Sequence, residues 1–331
     1  MRAAPWAVVV PAPEAFPSGG NVFNARVLAG LRAGTGTVHR VKAGEPLPAF
    51  EPDARVLLDT LLLAQAEAPL ARVAERGLLV HYLELFDRAL RDGAGAQDER
   101  RLIAGYTRFV ATSRWSANAL RALGVRGAID VVHPGLDPPF LDLPPPPRDA
   151  RDRTRVLTVA NLIAVKGLLE LARVLAELID LPFEWTVAGS ARLDPGYAAR
   201  FAALCRDCGL ADRTHVIEAP PDAMRALYDQ SDLLLSGARF ETLGMALREA
   251  MARALPVLGW DVGGCGESVR DGETGYLVRV GDEARFADRL RALIEQPPLR
   301  RALGAAGRVH AASFPTWEQA QARFADVLAA D

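Results

Sequence analysis

Two glutamates, Glu241 and Glu249, stand eight positions apart in the stretch from Ser236 to Val257. We expect a helix to begin near Leu243, and on a helix this spacing covers roughly 12 Å at about 1.5 Å per residue. Carboxylates so far apart cannot form the close pair of a retaining glycoside hydrolase, which needs about 5 Å. They could instead bind the two ends of one elongated ligand. The alternative is a capping glutamate and an unrelated helix residue.

The loop before this helix has the features of an anion site. A helix N-terminus offers unpaired N–H groups and a positive dipole end to a phosphate, and Gly244 lets a ligand approach the backbone closely. Lys166, which precedes Gly167 after the first strand of the second half, can act as a point charge on phosphate, unless it is simply a solvated lysine before a helix. A nucleotide diphosphate sugar fits this set, with its sugar near Glu241 and its ribose near Glu249.

Composition narrows the class of protein. The chain has 331 residues, is 50% hydrophobic and carries a net charge of −2, so about two globular domains are expected and intrinsic disorder is excluded. A pI of about 6.3 gives no general attraction to nucleic acid, and we expect no such partner. The three cysteines, Cys205, Cys208 and Cys265, form no disulfide framework and favour a reducing, cytoplasmic setting. Cys205 and Cys208 lack a second pair for zinc and are expected to be structural.

The start of the sequence contains a very short apolar run, 6–10. A signal peptide has a longer apolar region, and a membrane-spanning helix needs roughly 20 apolar residues. We therefore expect a buried first strand and no transmembrane segment, while peripheral membrane contact and the oligomeric state stay open.

Short apolar runs alternate with amphipathic helical segments in both halves of the chain. Strands are predicted at 6–10, 38–41, 55–58, 77–81, 108–111 and 129–132, and then at 155–159, 183–187, 215–217, 232–236 and 256–258. Continuous apolar strands separated by helices are typical of parallel sheets covered on both faces. The predicted fold class is α/β, with two open parallel-sheet units whose ligands bind at the carboxyl ends of the strands.

Four consecutive prolines, Pro144 to Pro147, interrupt this alternation. They cannot lie within a helix or a central strand and favour a stiff extended linker. We therefore predict a first domain at 1–147, a second at 148–315 and a C-terminal helix at 316–331 that packs back on the first domain. A surface loop inside one domain is the alternative.

Taken together, these residues resemble the donor domain of retaining glycosyltransferases of family 4, which have the GT-B fold of two Rossmann-like domains facing an interdomain cleft. The matching positions are Ser236, Glu241, Gly244, Glu249, Ala250, Ala252, Pro256 and Val257, then Gly263, Gly264, Glu267, Asp271, Gly272 and Gly275, and the pair Lys166-Gly167. The resemblance covers essentially all of the second domain. In the first domain it is limited to a glycine loop at 18–20 and to His81.

The resemblance implies roles for residues of the second domain. Glu241 would bind the sugar hydroxyls and Glu249 the ribose. Lys166 would hold the diphosphate together with backbone amides. The residues that supply those amides are Thr242, Leu243 and Gly244, and Asn161 and Gly189 complete the expected donor-binding set.

In the first, acceptor-binding domain, the resemblance implies that Gly19 and Gly20 let a loop approach the donor phosphate. It also implies that His81 contacts the transferred sugar, so that His81, Glu241 and Lys166 form the expected catalytic group.

The activity implied by the resemblance is a retaining hexosyl transfer from a nucleotide sugar, such as a UDP- or GDP-sugar, to the hydroxyl of a small or exposed acceptor. Neither a metal nor another cofactor is expected, in keeping with the absence of an Asp-x-Asp motif. Asn161 departs from the family, which commonly has Arg there, and Arg239 or Arg192 could compensate. Ala254 stands where the family often has Gly, and we expect no effect. The alternatives are a sugar-nucleotide-binding protein without turnover, which Asn161 suggests, and a nucleotide-sugar epimerase of the same fold.

Overall fold

A computed structural model describes residues 4–12, 18–31, 36–87, 92–148 and 152–330. The chain forms two compact units, Met1–Gly135 with Pro315–Asp331, and Leu136–Phe314. Each unit contains its own six-stranded parallel sheet. The predicted class of two α/β, Rossmann-like parallel-sheet domains is therefore confirmed. None of the helices in the described part of the chain is long and apolar enough to cross a membrane.

The strands of the first unit are β1 (Trp6–Pro11), β2 (Gly36–Val41), β3 (Arg55–Asp59), β4 (Glu75–Val80), β5 (Arg108–Ala111) and β6 (Ala128–Val131). Their order in the sheet is β2-β1-β3-β4-β5-β6. The middle residues of the central strands are apolar because helices cover both faces of the sheet. Val8, Val56 and Leu78 accordingly have no exposed surface.

The helices of this part of the chain are α1 (Gly19–Ala29), α2 (Glu67–Leu70), α3 (Ala94–Ile103) and α4 (Arg114–Ala122), with short 3₁₀ helices at Thr60–Gln65 and Glu84–Phe86. Ser18 and Ser113 start α1 and α4, since each side chain accepts a backbone N–H of the first turn.

The strands of the second unit are β7 (Thr154–Val159), β8 (Phe183–Ala188), β9 (Thr214–Ile217), β10 (Leu233–Ser236), β11 (Val257–Trp260) and β12 (Gly275–Val278). Their order is β12-β11-β10-β7-β8-β9. The order therefore reverses between β7 and β10, and such a switch point opens a crevice at the carboxyl ends of the two strands.

The second unit contains α5 (Pro138–Leu141), α6 (Leu168–Ala176), α7 (Pro195–Asp207), α8 (Pro221–Gln230), α9 (Met245–Ala252), α10 (Glu283–Glu295) and α11 (Pro297–Ala311). Three 3₁₀ helices lie at Ala164–Lys166, Ala211–Arg213 and Cys265–Glu267. The last helix of the chain, α12 (Trp317–Ala329), belongs to the first unit. There the Arg108 guanidinium donates to the carbonyls of Val327 and Ala330.

The division between the units differs from the predicted boundary after Pro147. It lies between Gly135 and Leu136, because the segment before the prolines packs on the second unit. Leu136 and Phe140 are part of that unit's core. The buried Arg253 guanidinium donates to the carbonyls of Leu143 at 2.6 Å and Pro144 at 3.0 Å. The proline segment is thus attached to the second unit by hydrogen bonds.

Candidate active site

A pocket in the second unit lies at the carboxyl ends of β7 and β10, at the switch point of the sheet. It is lined by residues of both strand ends and by Lys166, Gly237, Glu241 and Gly244. The structure therefore brings together the predicted lysine, one of the two predicted glutamates and the glycine at the start of α9.

Lys166 and Glu241 form an ion pair across this pocket. The Nζ–Oε2 distance is 3.0 Å, and both side chains are about one quarter exposed, at 29% and 24%. Lys166 ends the 3₁₀ helix after β7, whereas Glu241 lies in the loop between β10 and α9. A charged pair that keeps part of its surface open can exchange its partner for a ligand.

Two glycines bring the loops of this ion pair into contact. Gly167 has φ +62°, and a Cβ there would lie 2.0 Å from the carbonyl oxygen of Gly237. The amide of Arg239 donates to the carbonyl of Val165 at 2.9 Å. The contact is therefore backbone against backbone, which only glycine permits at such distances.

The glycine-rich turn at Gly263 and Gly264 packs against the main chain of the loop that contains Glu241. The Gly264 amide donates to the Glu241 carbonyl at 2.9 Å. A Cβ at Gly263 would lie 1.9 Å from that same oxygen, and one at Gly264 would lie 1.9 Å from the carbonyl oxygen of Thr242. The turn therefore fixes the position of the carboxylate by contacts to its main chain.

Helix α9 begins at Met245, with Gly244 as its N-cap at φ +84°. Thr242 and Leu243 form the turn directly before it. Glu241 is therefore not helical, and the predicted helical separation of roughly 12 Å between the two glutamates does not apply.

Glu249 lies on α9 and is held by Tyr228, a residue whose role no motif in the sequence indicates. The fully buried Tyr228 hydroxyl donates to Glu249 Oε2 at 2.6 Å. Burial raises the pKa of Glu249 to about 7, and the nearby Asp137 carboxylate acts in the same direction. Glu249 is not one of the described residues that line the pocket.

Asn161 and Gly189 connect the loops after β7 and β8. Asn161 Oδ1 accepts the backbone N–H of Ser190 at 3.0 Å, and a Cβ at Gly189 would lie 2.0 Å from the carbonyl oxygen of Ala160. Neither residue belongs to the described lining of the pocket. Their contacts with Ser190 and Ala160 hold the two loops together.

Arg192 and Arg239, either of which we expected could compensate for Asn161, are both paired with carboxylates. Arg192 contacts Glu218 at 2.8 Å and Arg239 contacts Glu170 at 3.5 Å. Both arginine side chains are largely exposed, at 81% and 61%.

In the first unit, Gly19 and Gly20 are the first residues of α1 rather than part of a loop. Ser18 Oγ accepts the amide of Asn21 at 3.2 Å and starts the helix there. A Cβ at Gly20 would lie 3.0 Å from Cγ of His81. Gly20 therefore lets the imidazole pack against the beginning of α1.

His81 directly follows β4 and is only 9% exposed. Its Nε2 lies 2.9 Å from Asn24 Oδ1 and 3.5 Å from Asp59 Oδ2. Burial lowers the pKa of His81, and the attraction of Asp59 opposes this shift. The imidazole is therefore neutral near pH 7.

Ala254 is not the neutral replacement that we expected. Its φ is +55°, a left-handed conformation that costs residues with a Cβ roughly 1–2 kcal/mol. The backbone at this position therefore favours glycine.

The structure is similar to solved GT-B glycosyltransferases. It superposes on sucrose-phosphate synthase from Thermosynechococcus elongatus with a TM-score of 0.79 and 18% identity over 98% of both chains. For Anabaena HepE in complex with UDP and glucose, the TM-score is 0.78 at 15% identity over 99% of this chain and 100% of that chain. The fold is that of the GT-B glycosyltransferases.

Residues 144–310 match the family described as glycosyl transferases group 1. The D-inositol 3-phosphate glycosyltransferase of Rhodococcus jostii is 32% identical over 270 residues, 76% of this chain and 58% of that protein. For the protein of that name from Corynebacterium diphtheriae, the identity is 31% over 180 residues, 53% of this chain and 42% of that protein. The alignments thus span about half the length of these relatives. The chain belongs to the glycosyl transferases group 1 family.

Proposed function

We propose that this protein transfers a sugar from a nucleotide diphosphate sugar to an acceptor hydroxyl, with retention of anomeric configuration and without a metal ion. The observation that carries the proposal is the Lys166–Glu241 ion pair in the switch-point pocket, next to the N-terminus of α9. A cation, a carboxylate and a helix N-terminus in one crevice suit a diphosphate joined to a sugar.

Each group of the second unit has a role in donor binding. Lys166 binds the diphosphate, and the backbone amides of Thr242, Leu243 and Gly244 add to that attraction. Glu241 accepts hydrogen bonds from the sugar hydroxyls. Glu249, oriented by Tyr228, accepts from the ribose hydroxyls.

The first unit supplies the acceptor domain in this proposal. His81 contacts the transferred sugar, and Gly19 and Gly20 allow the start of α1 to approach the donor phosphate. Asn161 and Gly189 keep the donor-side loops in place through the backbone contacts described above. The compartment is proposed to be cytoplasmic, in keeping with three cysteines that are all free thiols.

The proposed reaction proceeds on one face of the sugar. The bond between the anomeric carbon and the leaving phosphate oxygen breaks, and the bond from that carbon to the acceptor oxygen forms on the same side. The acceptor proton passes to the leaving phosphate, so no protein nucleophile takes part. Lys166 and the α9 N-terminus stabilise the negative charge that develops on the diphosphate, a task for which other enzymes use a metal.

The test begins with thermal shift measurements against UDP, GDP, ADP and their sugars. UDP is the first choice because it is bound in HepE, and D-inositol 3-phosphate is a first acceptor because relatives are named for it. We expect a nucleotide to raise the melting temperature and NMR of the product to show the anomeric configuration of the donor.

Other outcomes would contradict the proposal in distinct ways. An inverted product from an α-linked donor would exclude retention. Tight donor binding without transfer or hydrolysis over long incubation would indicate a binding protein. An isomerised donor in the absence of acceptor would indicate an epimerase. Loss of all turnover on chelation, with recovery when a divalent ion is restored, would exclude metal independence.

A further inference from the structure

Three polar side chains of the first unit, Asp59, Asn24 and His81, are hydrogen-bonded in series beneath the surface. Asp59 is fully buried, Asn24 is 3% exposed and His81 is 9% exposed. Asn24 Nδ2 donates to Asp59 Oδ2 at 2.5 Å, and Asn24 Oδ1 faces His81 Nε2 at 2.9 Å. They come from three elements, since Asn24 lies on α1, Asp59 ends β3 and His81 follows β4.

The direction of the hydrogen bonds is determined by the carboxylate. An ionised aspartate only accepts, and the other Asp59 oxygen already accepts the amide of Leu61 at 2.8 Å. The NH₂ group of Asn24 must therefore face Asp59. The carbonyl end of the same amide then faces His81 and can only accept, so the hydrogen between them belongs to Nε2.

We infer that Asp59 and Asn24 are positioning residues that hold His81 in the Nε2–H tautomer and leave Nδ1 as a bare hydrogen-bond acceptor. The chemical partner of Nδ1 is a hydroxyl group. In terms of the proposed function, on which this part rests, it is a hydroxyl of the transferred sugar. His81 then acts as a fixed neutral acceptor and not as a cation.

The ring has little freedom to adopt another arrangement. The Phe23 and His81 rings pack in a T-shaped arrangement with their centroids 5.3 Å apart. A Cβ at Gly20 would lie 3.0 Å from His81 Cγ. The main-chain N–H of His81 donates to Thr60 Oγ1 at 3.1 Å. Rotating the ring by 180° would place a carbon atom against the Asn24 carbonyl and lose the hydrogen bond.

The inference is tested by two-bond ¹H–¹⁵N correlation spectra of the 331-residue chain without ligand, which identify the protonated ring nitrogen of each histidine. The chain has five histidines, and the resonances of His81 are assigned from their loss in His81→Gln. We expect a protonated Nε2 and a bare Nδ1 in the unmodified protein. A protonated Nδ1 would overturn the inference.

Variants of Asn24 separate positioning from a general loss of structure. Asn24→Leu removes the acceptor at nearly constant volume and should give a mixture of tautomers. Asn24→Asp reproduces this pattern only as the protonated acid, whose O–H donates to Asp59 while its other oxygen accepts from Nε2. It should therefore restore Nε2–H at pH values at which the two carboxyl groups share a proton. Thr60→Val is the control, because it disturbs the backbone of His81 without touching the ring. An Asn24→Leu protein that keeps pure Nε2–H, or a Thr60→Val protein that loses it, contradicts the inference.

Measurements of sugar transfer provide a second test, independent of the tautomer spectra. Once sugar transfer is demonstrated, Asn24→Leu should reduce kcat/KM about tenfold, the value of one hydrogen bond to a hydroxyl, and Asn24→Asp should recover part of it. If no transfer is found while the tautomers behave as expected, the proposed function fails and the positioning chain stands.

Discussion

The Lys166 ammonium and the Glu241 carboxylate neutralise each other at 3.0 Å across the pocket of the second unit. Neither group is deeply buried, so the pair is weak enough to be replaced. A diphosphate would compete with Glu241 for the ammonium, and the released carboxylate would then accept hydrogen bonds from a sugar. In the proposed function, the pair would therefore couple recognition of the phosphate to recognition of the sugar.

Lysine chemistry offers a direct check on this site, because the chain contains only two lysines, Lys42 and Lys166. Lys42 is exposed in the first unit. A bound nucleotide diphosphate should protect Lys166 from acetylation and leave Lys42 unaffected, as measured by mass spectrometry of the labelled peptides. Equal labelling of Lys166 with and without saturating nucleotide would contradict the assignment.

Replacing each of the two lysines by alanine should show the same difference between them in nucleotide affinity. Lys166→Ala should weaken nucleotide binding by about tenfold or more in titration calorimetry, because it removes a charge-assisted contact to phosphate. Lys42→Ala should bind normally. Glu241→Ala should weaken binding of the nucleotide sugar more than binding of the nucleotide alone.

Alanine substitutions at Gly264 and Gly266, in the glycine-rich turn that packs against the Glu241 loop, should have different effects. Gly264→Ala should destabilise the protein and weaken donor binding, because the new Cβ would collide with the Thr242 carbonyl. Gly266→Ala should do neither, since no atom of the described residues lies within 4 Å of its Cβ position. Thermal unfolding and calorimetry measure the two effects, and equal behaviour of the variants would exclude the supporting role of the turn.

Glu249 predicts a pH dependence of stability. Its pKa is raised from 4.5 to about 7 in the folded protein, so the folded state binds a proton that the unfolded state has released. Its contribution to stability is therefore full below about pH 4.5 and is lost as the pH rises towards about 7. In urea unfolding, the stability of the unmodified protein relative to Glu249→Gln should therefore fall as the pH rises from about 4.5 to about 7, whereas its stability relative to the exposed control Glu273→Gln should not depend on pH.

Tyr228→Phe extends this prediction. The Tyr228 hydroxyl lowers the pKa of Glu249 against the larger effect of burial. Its removal should raise that pKa further and move the loss of stability to higher pH. An unchanged profile would mean that the Tyr228–Glu249 hydrogen bond does not form in solution.

The backbone at residue 254 predicts a stabilising substitution. Ala254→Gly should stabilise the protein by about 1 kcal/mol, because φ +55° is strained for alanine and free for glycine. The control Ala302→Gly, at an exposed position inside α11, should destabilise by about 1 kcal/mol. Denaturant midpoints measure both, and a destabilised Ala254→Gly would show that the left-handed conformation is absent in solution.

Periodicity and apolar runs predicted the two parallel sheets, since a strand buried on both faces is visible in the sequence as a continuous apolar segment. Strand β12 could not be predicted in this way. It is short, begins with Gly275 and is only partly buried, and its pairing with β11 comes from the tertiary structure.

The sequence allowed prediction of those residues of the candidate site that belong to short local motifs. Lys166, Glu241 and Gly244 are identified by motif and do meet in one pocket. Tyr228 and Asn24 were missed because their partners, Glu249 and His81, are 21 and 57 positions away. A buried tyrosine or asparagine on a helix cannot be distinguished by spacing from an ordinary core residue.

The arginine contacts to the proline segment set a limit on how such chains can be recombined. Arg253, 1% exposed, is bound to Asp229 at 2.6 Å and to carbonyls on the near side of the prolines. A chimaera joined at residue 147 would take those carbonyls from a foreign sequence. The buried guanidinium would keep Asp229, and each acceptor lost at Nη1 or Nη2 would cost about 1–3 kcal/mol. A joint at Gly135 keeps the whole set. Exchange of the first unit for that of a relative, in the laboratory or in evolution, is therefore least disruptive with a joint ahead of α5 and with α12, which belongs to the same unit, exchanged as well.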